Sequence, residues 1–577
     1  MPSPLIPATP AFAADGAPYS ATYDDIYHSA EGGLAQAHHV FLKGNGLPER
    51  WRGRRSFTIL ETGFGFGLSF LATWKAWLEH PGRSERLHFV SIEKHPFEVS
   101  NLRSLWDEDR ELKKQSGELI ARWPMLVPGM HRIEFEGGKV VLTLFLGDVA
   151  DGLPQVELAA DAIFLDGFSP QKNPEMWMPP LLRHLGRLAA PGATLATWSV
   201  AAAVRMALEG AGFAIEKVAG FGMKREMLRG RLVEMRRAAP QVAVARAALV
   251  IGAGVAGAAA AERLAARGWQ VTVIERHAGP AEEASGNHAA AFHPVISPDD
   301  NLFARFTRAS FLFLLNRWKN LPGLDWDRCG LLQIARDERE RASQRRALET
   351  LGYPADYARF DERQGGIWFP AAGWVRPRSL VAALLENVEA KFGREVAALE
   401  HSGGTWLARD RLGETIAAAP VVVLANAADA LRLSPQPEVR MRRVRGQLTL
   451  VPPISGLDHV ILRGGMALPG IGGASVVGAS YDVDDEDPGV RADSHAGNLA
   501  RLEQMLPGSS IGLAAASLHG RVAFRAVVRD RLPLAGALAD PRGGGIYAAC
   551  AYGSRGMLWA GRRRRRRRFP RPWDRRV

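Results

Sequence analysis

Two glycine-rich turns and a series of strand-ending acids are the residues whose types and spacing suit chemistry. The first turn reads Glu-x-Gly-x-Gly-x-Gly and contributes Glu61, Gly63, Gly65 and Gly67. The second, "VIGAGVAG", gives Gly252, Gly254 and Gly257 in Gly-x-Gly-x-x-Gly spacing. Each follows an apolar run and opens a helix-like one. Glycine allows positive φ and close backbone approach to a ligand. The N-terminus of the following helix favours an anion. Downstream of each turn a second apolar run ends in an acid, Glu93 in "RLHFVSIEKHP" and Glu275 in "WQVTVIER". A carboxylate at that place accepts hydrogen bonds from ribose hydroxyls. The expected chemistry is therefore the binding of two nucleotide-containing ligands, one per turn.

In adenosylmethionine-dependent methyltransferases a loop like the first one faces the methionine portion, with Glu93 on the ribose and Asp148 of "LGD" at the adenine end. A further strand-like run, "ADAIFLDGFSP", ends in Asp166. Methylating an amine requires a neutral, aligned nitrogen lone pair and a route for its proton. Asp166 is assigned to orient or deprotonate that nitrogen; its alternative is a turn residue capping the next segment. Lys172, Lys224 and Arg225 are candidates for touching phosphate, or solvated surface charges. In the second turn Gly252 makes the bend, Gly254 admits the pyrophosphate and Gly257 lets the helix pack. FAD is expected there rather than NAD. A late glycine-rich segment, "GIYAACAYGSRGM", returns to the first strands as in flavin amine oxidases, bringing Gly553, Ser554 and Gly556 over the flavin. "EEASGNHAAAFHP" adds Ser285, Gly286 and Asn287.

These residues need two α/β scaffolds in series. Strand-like runs alternate with helical ones from Phe57 to Leu232 and resume at Ala247, a pattern that gives parallel sheets with ligand groups at the strand ends. The expected division is a Rossmann-like methyltransferase domain over 1–235, a linker over 236–246 and an FAD domain over 247–560. "CGLLQIAR" and "MRRVRGQLTLVP" are expected in an antiparallel substrate-binding sheet inserted between the halves of the FAD-binding part. "MPSPLIPATPAFAADG" reads as a floppy start. No apolar run reaches the ~20 residues of a membrane span. The only cysteines, Cys329 and Cys550, fit no metal spacing, so no metal and a reducing cytoplasm are expected. The net charge of +12 is concentrated at the end. "GRRRRRRRFPRPWDRRV" holds ten arginines against one aspartate, which leaves +3 on the other 560 residues. Bulk charge is thus a weak argument for a nucleic-acid partner.

The chain resembles the bifunctional tRNA 5-methylaminomethyl-2-thiouridine biosynthesis (MnmC) family. The resemblance is carried by "YDDIYHSAEGGLAQAHHVFLKGNGLPERW", "LETGFGFGLSFL", "FLDGFSPQKNPEMW", "GFGMKREML", "ASGNHAAAFHPVIS", "VVVLANAAD", "RGQL", "VVGASY", "VRDRLPLAG" and "YGSRGM", in order from Tyr23 to Met557. It implies a monomeric tRNA-modifying enzyme acting at the wobble uridine. Its FAD domain, like glycine and D-amino-acid oxidases, would remove a carboxymethyl group; its N-terminal domain would methylate the amine so formed. It implies an arginine clamp on the substrate carboxylate, for which Arg525 and Arg555 are candidates, the alternative being ordinary loop cations. Gln447 would line the flavin pocket or pair a strand edge. After "YGSRGMLWA" the sequence departs from the family, and the arginine tail over 561–577 is expected to be disordered. Two other functions stay open: a methyltransferase fused to an oxidase of small amines, and an RNA-binding relic with an inactive flavin domain.

Overall fold

A computed structural model of the protein describes residues 4–29, 31–107, 109–233 and 245–559. The expected linker, apart from Ala245 and Arg246, and the tail over 561–577 lie outside these residues. The chain divides into two compact units between residues 241 and 242.

The first unit is built on an eight-stranded sheet. Its strands are β1 (Phe57–Glu61), β2 (Leu87–Glu93), β3 (Gly129–Phe135), β4 (Val140–Leu146), β5 (Ala160–Phe164), β6 (Ala189–Thr197), β7 (Phe213–Ala219) and β8 (Glu226–Leu232). They lie in the order β7-β8-β6-β5-β1-β2-β4-β3. The five central strands run parallel. Strands β3 and β8 run antiparallel to their neighbours. The central strands are near-continuous apolar runs because helices cover both faces. From β1 the chain winds one way through β2 to β4, then crosses to β5 on the other side. The crevice at the carboxyl ends of β1 and β5 is therefore where such a sheet binds its ligand. There Thr62 Oγ1 donates to the carbonyl of Asp166 at 2.8 Å, tying the two strand-end loops together.

Of the stretch expected to be floppy, residues 4–16 are ordered. Ala11–Phe12, Pro18–Ser20 and Asp25–Ile26 form a small antiparallel sheet, and Ala8 bridges to Phe97. The physical reason lies further on: Tyr27 packs against Phe66, Phe97 and Phe168, and Tyr23 stacks on Phe168. These aromatic contacts offset the ordering entropy of the segment.

In the second unit a six-stranded sheet carries the second glycine turn. Its strands are β9 (Ala247–Ile251), β10 (Gln270–Ile274), β11 (Glu389–Lys391), β12 (Val421–Leu424), β13 (Leu534–Ala537) and β14 (Ile546–Cys550), in the order β11-β10-β9-β12-β14-β13. All pairs are parallel except β13 with β14. Strand β14 comes near the end of the chain, yet it sits inside the sheet. Between the halves runs a nine-stranded sheet, with Leu331–Ile334 and Met441–Val451 in it, as expected for an inserted substrate-binding sheet. Its longest ladder pairs Met441–Val451 with His519–Val528. The sheet is antiparallel apart from one parallel pair, Leu331–Ile334 with Val460–Leu462.

Candidate functional site

Each glycine turn opens onto its own cavity. In the first unit a cavity of about 730 Å³ is lined by Gly63, Gly65, Glu93, Asp148 and Asp166. Gly65 has φ +55, and a Cβ on it would lie 3.3 Å from the Tyr27 ring. Glu93 is held by two backbone donors: Gly65 N–H at 2.7 Å and His95 N–H at 2.7 Å. Burial raises its carboxyl above the ordinary range despite these bonds. A carboxylate has about four lone-pair sites, so acceptor capacity remains for a ribose. Asp148 caps the helix Val149–Gln155 by accepting from Ala150 N–H and pairs with Lys94 at 2.9 Å. Burial works to raise its carboxyl, but the bonds from Lys94 and Ala150 outweigh it and hold the carboxyl below its ordinary value.

Asp166 sits at the crevice floor. Its Oδ1 accepts from Gly167 N–H at 2.8 Å. Burial pushes its carboxyl up to about 7, against the opposing pull of Gly167, Trp198 and Lys224. It is therefore poised to exchange a proton near neutrality. Trp198 and Lys224 line the same cavity, and the Lys224 ammonium lies 3.2 Å from the centre of the Trp198 ring.

Four residues expected at the first site fall elsewhere. Glu61 is 1% exposed and does not line the cavity. It accepts from Ser91 Oγ at 2.6 Å, and burial raises its carboxyl far above the usual range. Its work is behind the loop, not on a ligand. Gly67 starts the helix Leu68–Glu79, where a Cβ would lie 2.8 Å from the Phe64 ring. Lys172 is exposed and paired to Asp24, outside the cavity wall. Arg225 is exposed and lies outside that wall too.

In the second unit a cavity of about 1060 Å³ is lined by Gly252, Gly254, Glu275, Ser285, Asn287, Gly553, Ser554 and Gly556. Arg525 and Arg555 face the same space. Glu275 repeats the arrangement of Glu93, accepting from Ala253 N–H at 2.7 Å and His277 N–H at 3.0 Å. Gly252 has φ +105, and a Cβ on it would meet the Ala425 carbonyl at 2.9 Å. A Cβ on Gly254 would lie 3.0 Å from Ser285 Oγ, which accepts from Val255 N–H at the helix start. At Gly252 the cradle stays open only to glycine, whereas at Gly254 a side chain would press on the Ser285 hydroxyl. Asn287 Oδ1 and Asn426 Oδ1 are buried without a protein partner, and both residues line the cavity. Buried polar atoms need partners, and a dinucleotide with its own donors fits that need. Gly257 and Gly286 serve packing instead. A Cβ on Gly257 would clash with the Gly252 carbonyl, and one on Gly286 with the Ala281 carbonyl and Arg521.

The two arginines are unusual among the described residues in facing a cavity with no carboxylate partner. Arg525 donates to the Ser480 carbonyl at 3.2 Å and lies 5.7 Å from the Tyr481 ring. Arg555 contacts His293 Nε2 at 3.2 Å. Burial lowers both, Arg555 to about 10. A buried cation without a counter-ion is costly, and a ligand carboxylate would supply the missing charge. Gln447 is corrected by the structure. It is fully buried, and its amide is spent on the Arg491 backbone, at 2.8 Å each way. Its strand neighbours Gly446 and Leu448 line the cavity and Gln447 does not.

Sequence reasoning missed Tyr23, Tyr27 and Trp198 in the first cavity and His293, Asn426 and Tyr481 in the second. The strand-end position of Asn426, after "VVVLA", is a usable signal. The aromatic pair in "YDDIYH" is another.

Comparison with known proteins agrees with this division. An S-adenosyl-L-methionine-dependent methyltransferase model matches residues 110–233, and an FAD dependent oxidoreductase model matches 247–561. FAD and adenosylmethionine are accordingly the cofactors. The chain is 48% identical to the tRNA 5-methylaminomethyl-2-thiouridine biosynthesis bifunctional protein MnmC of Paraburkholderia phytofirmans, over 97% of this chain and 94% of that one. The protein of the same description from Azoarcus sp. is 46% identical over 96% and 93%. Among solved structures, MnmC2 from Aquifex aeolicus is 26% identical over 40% of this chain and 71% of that one, with a TM-score of 0.33. No helix among the described residues is long and apolar enough to cross a membrane.

Proposed function

We propose a two-step modification of tRNA for this chain, which belongs to the MnmC family of bifunctional proteins. The second unit removes the carboxymethyl group of 5-carboxymethylaminomethyl-(2-thio)uridine at the wobble position. The first unit then methylates the resulting amine to 5-methylaminomethyl-(2-thio)uridine. The observation that carries this reading is the pairing of two cavity-facing arginines, Arg525 and Arg555, that have no carboxylate partner among the described residues in one unit with an acid titrating at about 7 in the other.

When bound, FAD accepts two electrons from the carbon beside the substrate nitrogen, and adenosylmethionine donates the methyl group. Arg525 and Arg555 take the substrate carboxylate in charge-assisted bonds and fix which carbon faces the flavin. Water opens the oxidised carbon–nitrogen bond, releasing glyoxylate and leaving a primary amine. In the other cavity Asp166 orients that amine and accepts its proton. Glu93 and Glu275 hold ribose hydroxyls, Asp148 the adenine end, and Arg225 and Lys172 serve as phosphate contacts at the surface. The division into 1–235 and 247–560 as independent domains, monomeric state and a cytoplasmic location belong to the same reading.

Mass analysis of nucleosides from substrate tRNA tests it. With protein alone, aminomethyl-uridine and glyoxylate should accumulate. With adenosylmethionine added, methylaminomethyl-uridine should replace the amine. Turnover of free glycine derivatives with none on tRNA would overturn the reading in favour of a small-amine enzyme. A protein that binds tRNA but carries no flavin would overturn it in favour of a relic.

A further inference from the structure

The mouth of the first cavity contains a cation that neither cofactor binding nor the Asp166 assignment accounts for. Lys224 lies in the turn before β8. Its ammonium sits 3.2 Å from the centre of the Trp198 ring, and Trp198 in turn lies beside Asp166 and helps to hold its carboxyl down. All three line one cavity. A cation over an indole face is held there by the ring quadrupole. Lys224 is an exposed residue, yet its ammonium is seated on the ring face of Trp198. Lys224 makes no ion pair closer than 4 Å among the described residues; the carboxylates that act on it are Asp25 and Asp166. The other charged groups that act on Asp166 are Glu93 and, behind the loop, Glu61. Lys94 lines the same cavity but is paired to Asp148, which leaves Lys224 as the cation that acts on Asp166.

We infer that Lys224, seated on Trp198, is a positioning residue that keeps the substrate amine unprotonated and Asp166 ionised. The inference rests on the proposed methylation of a primary amine. A free alkylamine is mostly ammonium at neutral pH, and an ammonium has no lone pair to attack with. A fixed positive charge beside the amine disfavours a second one. The same charge favours the carboxylate form of Asp166. The proton balance is simple: the substrate ammonium gives one proton to the Asp166 carboxylate, which passes it to solvent. Lys224 neither gains nor loses one. Burial lowers the Lys224 ammonium, yet the nearby Asp25 and Asp166 carboxylates favour its charged form.

The test is the pH profile of methyl transfer on pre-formed aminomethyl-tRNA, at saturating tRNA and adenosylmethionine. Rate rises with pH as Asp166 and the amine both lose protons. Lys224→Met should move this rise about one pH unit upward, lowering kcat about tenfold at pH 7 and restoring it near pH 9. Lys224→Arg should keep the wild-type profile. Trp198→Leu, which removes the seat but not the charge, should shift the rise by a smaller amount. Unchanged adenosylmethionine affinity by calorimetry checks that each variant is folded. An equal loss at every pH, or a rise in KM alone, would overturn the inference and return Lys224 to phosphate contact. Failure of the wild-type protein to methylate aminomethyl-tRNA at any pH would sink the proposed function instead.

Discussion

Glu93 and Glu275 are held in the same way in two sheets of different strand order. Glu93 ends its strand and Glu275 directly follows its own; each accepts one N–H from the glycine turn, and each accepts another from the histidine two residues on. The surroundings then diverge. Around the first cavity Asp25, Asp148 and Asp166 stand with Glu93, against Lys94 and Lys224; around the second, beside acids such as Glu275 and Asp429, stand Arg525 and Arg555 with no ion-pair partner among the described residues. The backbone device specifies only that a nucleotide binds. On the proposed function, the charge placed opposite it selects what arrives beside the nucleotide: an amine that must lose a proton in one case, a carboxylate in the other.

The comparison is most easily broken at the turns. Gly65→Val puts a β-branched residue at φ +55 and against Tyr27, a conformation such residues rarely adopt. It should abolish adenosylmethionine binding and leave the flavin spectrum intact. Gly254→Val should do the reverse. Calorimetry and absorbance on each variant check this, and loss of both ligands in either one would show that the two devices are not independent. Next in size is Asp166→Ala, which should slow methyl transfer about 10²–10⁴-fold with little change in adenosylmethionine affinity. Turnover within a few-fold of wild type on aminomethyl-tRNA would make Asp166 a turn residue. Arg525→Met removes one charged hydrogen bond, worth about 1.5–3 kcal/mol. It should lower kcat/KM for the carboxymethyl substrate about 10- to 100-fold and leave methylation of pre-formed amine unchanged.

The smallest expected effect is on stability. Asp166 titrates at about 7 in the fold and near 3.8 when unfolded. Between those values the folded chain binds more protons, so stability falls as pH rises through that window. Asp166→Asn avoids the cost. It should melt above wild type at pH 8, by ~2–4 °C for each kcal/mol regained, and the gap should narrow at pH 5. A gap independent of pH would refute the burial argument for Asp166.

Much of this contrast was legible in the sequence. The glycine spacing and the acid closing each second strand are local patterns, and both glutamates lie where those patterns put them. Asp166 was legible because it ends an apolar run, but the titration that suits it to a base comes from burial, which no spacing reveals. Gln447 failed on parity. Alternate residues of a strand face opposite ways, and the one-residue choice between Gly446 and Gln447 needed the register. The start of the chain failed because its order depends on Phe66, Phe97 and Phe168, distant in sequence. Trp198 and Lys224 were separable in sequence and meet only because β6 and β8 are neighbours.

The inner place of β14 has a consequence in time. The sheet of the second unit cannot close until residues 546–550 have been made, whereas the last strand of the first unit ends at Leu232. At a synthesis rate of roughly 5–20 residues per second, the methylating half is complete roughly 15–60 s before the flavin half gains its final central strand. During translation, then, the catalyst that consumes the amine exists before the one that makes it.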